Sequence, residues 1–523
     1  MGALPVEYNS DCGMTAEGEN SDVIDGDLFV SFISKHSNKM ISYAHWALNQ
    51  DVKFVLTRPF LGKMHLEASM VEEIMDEYGA MNSAQWVDYR RAVASLKCFT
   101  AVAYNLLYLK YQVPCYRLIS IKEDFGLSIH SVLESLRSVL VNAFKELIRQ
   151  EESHKLTWTA IDPDFNDRMP RGKLFDDKPR RTIDNPGKTV VHLATSFLNL
   201  SDDSCLFDLY KRVPENEYAD CFPDILGEAR IRRMEYKFHS LQSDYDTYIS
   251  DSNIEQLDGN LPILRGHVSI IFHLLEISTL LSHYYERHLH HVSFSPIDRK
   301  LILHTLVDFS LAFVSRFLSS ARNLCREMIK EYAEQGNISV PVPSYRGFHV
   351  RPSTLVSKII VHYGSDVYLK MDDGCVYNAG SPLELFRVNE AINARKRKMV
   401  LGKIEKILPE IGSIPIMESS FRETTQKILY ILMDDKSIIM YESDLSLEEI
   451  GFNSEESFPE YVKRAITHAL AMGRIDIRTE MKVEFVGDKR VLYDIRLLAE
   501  TGYGEDQYGN NIMLPKELSY LRR

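Results

Sequence analysis

The sequence predicts an α+β protein in which a large all-helical N-terminal region precedes a smaller domain of strands and helices. Two observations carry this prediction. Up to about residue 335, apolar residues recur at the three- and four-residue spacing of amphipathic helices. From Asn337 onward, short β-leaning segments alternate with helical stretches, which is typical of a mixed domain.

Composition favours a soluble protein of several domains. Of the 523 residues, 45% are hydrophobic and 26% are charged, the usual mixture for globular proteins. A formal net charge of -13 argues against a nucleic-acid partner, which would require a dominant basic face. The 7 cysteines are scattered without a C-x-x-C pair, as expected of reduced thiols. We therefore expect a cytoplasmic protein without a secretory signal, a membrane-spanning segment or a cofactor.

Four stretches precede the mixed domain. Residues 1–23 are polar, and we expect them to form a disordered leader. Residues 24–160 and 189–336 are predicted to form two helical regions. Between them, residues 161–188 combine several prolines with crowded charges, which indicates a linker or a long loop. The clearest helical runs are Tyr89–Lys110, Ile129–Arg149, Val268–His288 and Leu301–Glu331.

Histidines crowd one part of the second helical region. His273 and His283 are each followed three residues later by a glutamate, a spacing that places both side chains on one helical face. A metal site needs three or four converging ligands, and the pattern is also that of core and rim histidines. We predict no metal site here and keep a metal-dependent activity as an alternative. The histidines are His267, His273, His283, His288, His290 and His291.

The mixed domain has clear local signals after residue 337. Asp366–Met371 alternates as a strand, and Asp373-Gly374 is a hairpin turn that leads into Cys375–Asn378. Ser381 then opens a helix, because Pro suits its first position and Glu384 completes a capping box.

The candidate reactive residues lie in the segment Gly347–Ser353. Pro352 suits the first turn of a helix, and the apolar stripe that follows it ends at Gly364. His349 and Arg351 therefore lie at a helix N-terminus, where free N–H groups and the helix dipole favour an anion. An imidazole nitrogen can attack phosphorus, and a guanidinium can hold two phosphate oxygens. The spacing thus favours a histidine that accepts a phosphoryl group.

These residues, Gly-Phe-His-Val-Arg-Pro-Ser-Thr, resemble the motif of HPr, the histidine-containing phosphocarrier of bacterial sugar phosphotransferase systems. The strand, the turn and the helix that follow come in the family's order. The resemblance implies an open-faced β-sandwich, phosphorylation of His349, phosphate binding by Arg351, and donor and acceptor proteins of a phosphotransferase system. It also places Ser381 where Gram-positive members carry a regulatory serine, although a helix cap explains this serine equally well.

Phe348 and Val350 are bulkier than the family's residues at these positions, and extra helical sequence interrupts the domain. We predict an HPr-like domain over residues 337–475 with a helical insertion at about residues 394–435. Its last strand is expected at Ser437–Tyr441 and its last helix at Phe458–Met472, followed by a β-rich extension, residues 476–523. The basic run Arg395–Lys398 is interpreted as a solvated helix face or, alternatively, as a docking patch.

Two functions follow from the sequence. The first is a phosphocarrier or phospho-regulatory protein that accepts a phosphoryl group on His349, and not a free-standing enzyme. The alternative is a non-enzymatic interaction protein that keeps the HPr fold for partner docking.

Overall fold

The computed structural model describes residues 23–49, 56–161, 186–201, 204–289, 297–411, 414–441, 449–478 and 480–522, with a few isolated positions between these ranges. The expected leader and most of the expected linker lie outside the described residues. Helices alone occupy the described chain up to Tyr332, and strands and helices alternate after it, which confirms an α+β protein with a large helical region.

The helices of the N-terminal region are α1 (Gly26–Asn49), α2 (Arg58–Glu77), α3 (Val87–Gln112), α4 (Phe125–His154), α5 (Pro186–Ser201), α6 (Ser204–Phe207), α7 (Leu209–Arg212), α8 (Glu228–Tyr248), α9 (Asn253–Leu257), α10 (Asn260–Tyr284), α11 (Arg299–His304) and α12 (Ala312–Tyr332). Two π-helical segments, Tyr285–Leu289 and Thr305–Leu311, extend α10 and join α11 to α12.

We call the described residues between 26 and 332 the helical body, because they share one hydrophobic core. The apolar stripe predicted within α4 is buried, as the spacing required. Phe144 of α4 belongs to the same core as Phe197 of α5 and Phe238 of α8. The two helical regions predicted on either side of residues 161–188 therefore form one packed unit.

Three helical stretches of the body have the length and apolarity needed to cross a membrane: Val87–Cys115, Asn260–Leu289 and Arg299–Tyr332. This finding runs against the expectation that no segment of the chain could span a bilayer. The most apolar windows of these helices are 78%, 67% and 78% buried against other parts of the chain. Packing inside the helical core thus gives their apolar residues protein neighbours.

After α12 the described part of the chain forms six strands: β1 (Gln335–Pro341), β2 (Val367–Lys370), β3 (Val376–Asn378), β4 (Ile438–Met440), β5 (Ile475–Ile477) and β6 (Lys482–Asp488). The helices between and after them are α13 (Val350–Tyr363), α14 (Pro382–Ile411), α15 (Glu418–Asp434), α16 (Phe458–Ala471) and α17 (Lys489–Glu500).

Four strands form one antiparallel sheet in the order β1-β6-β2-β3. Burial alternates along its strands: Val367 and Leu369 of β2 are buried, whereas Tyr368 and Lys370 are exposed. The buried face shares a core with the apolar sides of α13, α14 and α17. Helices therefore cover one face of the sheet, and most side chains of the other face are exposed or partly exposed.

Another, smaller core belongs to the part of the sequence between the first half of α14 and β6. It is formed by residues from Val400 to Ile477, and we call residues 400–478 the inserted unit. The unit contains the end of α14, then α15 and α16, and a separate two-stranded sheet of β4 and β5.

These elements correct three boundaries predicted from the sequence. The strand expected at Ser437–Tyr441 and the helix expected at Phe458–Met472 both exist, but they belong to the inserted unit and not to the main sheet. The insertion expected at residues 394–435 therefore extends to about residue 478. Residues 476–523 are not a β-rich extension, because they supply β6, which pairs with β1 and β2, and then α17.

Helix α5 of the helical body packs against α13, which covers the sheet. Gly364 ends α13 with φ of 62°, and a Cβ atom there would lie 2.3 Å from Leu198 Cδ1 of α5. Arg490 of α17 donates to Thr195 Oγ1 of α5 at 3.1 Å and also forks onto Asp488. Because Gly364 has no side chain, the end of α13 can approach α5 closely.

We expect Gly364→Ala to lower the free energy of unfolding by about 1–2 kcal/mol for its left-handed backbone, with a further loss from the clash with Leu198. Gly374→Ala is the matched control, because its φ is 84° and nothing lies within 4 Å of its would-be Cβ. Urea unfolding of both variants measures the difference. Equal losses of unfolding free energy in the two variants would mean that the close approach of Gly364 to Leu198 does not affect stability.

Candidate functional site

A tight turn presents the predicted histidine. Arg346 and Gly347 both have positive φ, at 51° and 64°. A Cβ atom at Gly347 would lie only 2.1 Å from Asn389 Oδ1 of α14, so only glycine fits here. His349 is the N-cap residue of α13, with extended backbone angles. The helix start that was predicted from Pro352 and the apolar stripe is confirmed.

The imidazole of His349 lies between two acceptor groups. Its Nδ1 is 3.2 Å from the carbonyl oxygen of Gly347, and its Nε2 is 3.1 Å from Glu505 Oε2. The ring of Tyr345 meets it edge to face, with 5.4 Å between centroids. About a quarter of the His349 side chain, 24%, remains exposed, so a reactant could reach part of the ring.

Arg351 and His349 converge on the same carboxylate. Arg351 Nε lies 3.8 Å from Glu505 Oε1, and its Nη1 donates to Asn511 Oδ1. Glu505 is only 9% exposed, so its charge is held between two cationic side chains. The ion pairs are not aligned as hydrogen bonds, because Arg351 Nε and Glu505 Oε2 have no hydrogen-bond partner among the described residues.

Sequence reasoning missed Glu505 and Asn511. They lie on a closed loop after α17, where an isolated β-bridge joins the two residues. No motif marks them, because their position beside α13 depends on how β6 and α17 pack. The only local signal is the loop itself, in which Asp506 accepts from the backbone N–H groups of Tyr508 and Asn510.

The two bulky residues beside His349 do not crowd it. Phe348 is fully buried and packs edge to face against Tyr503 and Phe485, at 5.6 and 6.3 Å. Val350 points outward and is 68% exposed. Phe348 therefore anchors the turn in the sheet core, and its carbonyl accepts a hydrogen bond from the buried Ser353 hydroxyl at 2.9 Å.

Ser381 has the capping position that the sequence predicted. Its hydroxyl oxygen is 3.4 Å from the Glu384 backbone nitrogen in the first turn of α14. The residue is partly exposed. The helix-cap interpretation is therefore confirmed, and the regulatory role stays a prediction.

A cleft of about 460 Å³ lies beside His349, between α14 and the inserted unit. Lys396 is only 2% exposed, and its Nζ is 3.0 Å from Asp476 Oδ1 of β5. Asp476 also accepts from the Arg346 backbone N–H at 2.9 Å. The basic run that was interpreted as a solvated face thus contributes one buried ion pair, which ties the inserted unit to the His349 turn.

We expect Asp476→Ala to lower the free energy of unfolding by about 3–5 kcal/mol, because it leaves the Lys396 ammonium buried without a partner. The matched control is Glu405→Ala, which removes an exposed pair at 3.1 Å between Glu405 of α14 and Lys463 of α16. The control should change stability by about 0–1 kcal/mol. Urea unfolding tests both, and Lys396→Met added to Asp476→Ala should restore much of the loss. A similar loss in the two single variants would contradict the role given to Asp476.

The histidines of the helical body do not converge. His267 is buried between the Ile263 carbonyl and Ser320, and burial lowers its pKa. His273 pairs with Glu276 at 3.1 Å, as its spacing predicted. His283 pairs instead with Glu228 of α8, at 2.8 Å.

His288 is held next to Arg90, whose Nη1 lies 3.2 Å from His288 Nδ1. Burial, together with this guanidinium, lowers the pKa of His288 to about 3, so its imidazole is neutral near pH 7. Within the described residues, no three His, Cys, Asp or Glu side chains form a metal-binding group. His290 and His291 lie outside the described residues.

Comparisons with known proteins add nothing to this geometry: the chain matches no family model, no curated protein and no solved structure.

Proposed function

We propose that the protein is an HPr-like phosphocarrier, or a phospho-regulatory protein of the same kind, which accepts a phosphoryl group on His349. The observation that carries this proposal is the position of the motif. His349 caps α13 at its N-terminus, Arg351 lies in the first turn, and part of the imidazole is exposed. An anion is stabilised at such a helix start by free N–H groups and by the dipole.

The arrangement of the sheet supports the HPr-like part of the proposal. With the inserted unit set aside, the elements follow the order β1, α13, β2, β3, α14, β6 and α17. The sheet is antiparallel, with β6 between β1 and β2, and its helices cover one face. This order and this pairing support the open-faced sandwich that the resemblance implies. The donor and the acceptor would then be proteins of a cytoplasmic phosphotransferase relay.

The contacts of the imidazole indicate which nitrogen attacks. Transfer breaks the bond between phosphorus and the donor's leaving group and forms a phosphorus–nitrogen bond. Glu505 faces Nε2, so it favours the tautomer that keeps a proton there and leaves a lone pair on Nδ1. The contact of Nδ1 with the Gly347 carbonyl has to open, and any proton on Nδ1 leaves to solvent. Arg351 would then turn from Glu505 to the phosphoryl oxygens.

The direct test is labelling with phosphoenolpyruvate and the first kinase of a bacterial phosphotransferase system. We expect acid-labile phosphate on the wild type and none on His349→Ala. His130→Ala is the matched control, because His130 is an exposed histidine of α4 in the helical body. Labelling that survives in His349→Ala, or that never appears in the wild type, would overturn the proposal.

Glu505 gives a second prediction. We expect Glu505→Ala to slow the initial labelling rate by about tenfold or more, because Nε2 loses the partner that orients the ring. Glu505→Gln should fall between this variant and the wild type, since its amide oxygen can still accept a hydrogen bond from the Nε2–H group. Unfolding in urea serves as the control for the fold. Faster labelling in Glu505→Ala would instead mean that the carboxylate competes with phosphate for Arg351.

One observation favours the alternative, an interaction protein that keeps this fold for docking. Arg351 is already engaged by Glu505 and Asn511, and the inserted unit lies beside His349. In that case a purified phosphotransferase partner should bind His349→Ala as tightly as it binds the wild type, and neither the variant nor the wild type should become labelled. Binding together with labelling of His349 would exclude this alternative.

A further inference from the structure

The cleft beside His349 exists because of the inserted unit. One wall is α14, and the opposite wall is the end of α16 with β5, including Gly473 and Asp476. His349 and Arg346 lie at its edge. Its volume of about 460 Å³ falls within the range of roughly 300–1,000 Å³ that is typical of small-molecule sites. A compact metabolite fits this space, whereas a folded partner or a nucleic acid does not.

The α14 wall presents polar groups at helical spacing. Asn389, Asn393, Lys396 and Arg397 are three or four residues apart or adjacent, so they share one side of the helix. Asn389 donates its amide to the Arg346 carbonyl at 3.1 Å, while its buried Oδ1 accepts nothing among the described residues. The polar groups of the wall line the cleft, whereas this Oδ1 faces Gly347, where an added Cβ would lie 2.1 Å from it.

The charges of the cleft leave a cation available. Lys396 and Asp476 neutralise each other in their buried pair. Arg346 lines the cleft and donates one Nη2–H to the Gly473 carbonyl at 2.7 Å. Arg397 is partly buried in the lining, and it makes no ion pair or hydrogen bond with the described residues. Glu390 is the opposing carboxylate, so the balance is one positive charge.

We propose that this cleft binds a small phosphorylated metabolite, with the phosphate group held by Arg397 and Arg346. A guanidinium presents paired N–H donors that match phosphate oxygens, and no described residue accepts a hydrogen bond from Arg397. The space beyond the phosphate takes the rest of the molecule, next to the amides of Asn389 and Asn393. Phosphate binding here is separate from the anion position at the start of α13.

The ligand would act on the same turn that carries His349. Arg346 forms part of the cleft, and its backbone N–H is fixed by Asp476. A ligand that draws the Arg346 side chain towards Arg397 therefore restrains the residues immediately before His349. This regulatory consequence rests on the proposed function, whereas binding of the ligand does not.

The test uses inorganic phosphate as the probe and the intact protein. Phosphate should raise the melting temperature relative to chloride at equal ionic strength, because a ligand of the folded state stabilises it. We expect Arg397→Gln to weaken phosphate binding by about tenfold, since a charge-assisted pair is lost. Lys398→Gln is the matched control, because it removes an exposed charge from the next residue and should bind like the wild type.

A further variant separates the cleft from the helix start. Phosphate binding should persist in Arg351→Gln if the cleft is the site, because Arg351 does not line the cleft. Loss in that variant with retention in Arg397→Gln would overturn the cleft proposal and leave the phosphocarrier proposal standing. Binding that is equal in Arg397→Gln and the wild type, or undetectable in the wild type, would also overturn it. Failure of His349 labelling together with normal phosphate binding would overturn only the proposed function.

Discussion

One buried carboxylate joins the parts of this molecule that form the candidate site. Asp476 belongs to the inserted unit, yet it pairs with Lys396 of α14 and accepts from the Arg346 backbone at the turn before His349. It also accepts from its neighbour's N–H, at Ile477. Because a buried ion pair is stable only when its geometry is well satisfied, Asp476 holds the inserted unit in one orientation against the sheet. The position of His349 therefore depends on a unit that is distant from it in sequence.

Local signals were enough to predict the start of α13, the hairpin and the cap of α14. Each depends on a few adjacent residues: Pro352 and Gly364 for the helix, Asp373-Gly374 for the turn, and Ser381 for the cap. The order of the strands was beyond such signals. Both β4 and β6 look like short alternating strands, and the choice between them is made by pairing with β1 and β2 across the insertion. Glu505 reaches the site through that pairing, because it follows β6 and α17, whereas Asp476 reaches it through the packing of the inserted unit on α14.

The environment of the motif also explains a departure from the HPr pattern. A phenylalanine before the histidine is tolerated because its side chain turns inward, where Tyr503 and Phe485 receive it. The same inward turn leaves the imidazole on the outside, between the Gly347 carbonyl and Glu505. The larger side chain before the histidine is thus accommodated in the core of the sheet. The surroundings of the exposed imidazole are determined by neighbouring charges and not by crowding.

The position of β6 has a consequence for how the chain folds. It lies between β1 and β2, but it is synthesised after the entire inserted unit. Until β6 emerges, β1 and β2 have no central partner, and their unpaired edges are open to other chains. Pairing over so long a separation is slow, because a large loop has to close first. The inserted unit, with a core of its own, can fold earlier and shorten the effective length of that loop. The sheet beside His349 therefore assembles late during synthesis of the chain.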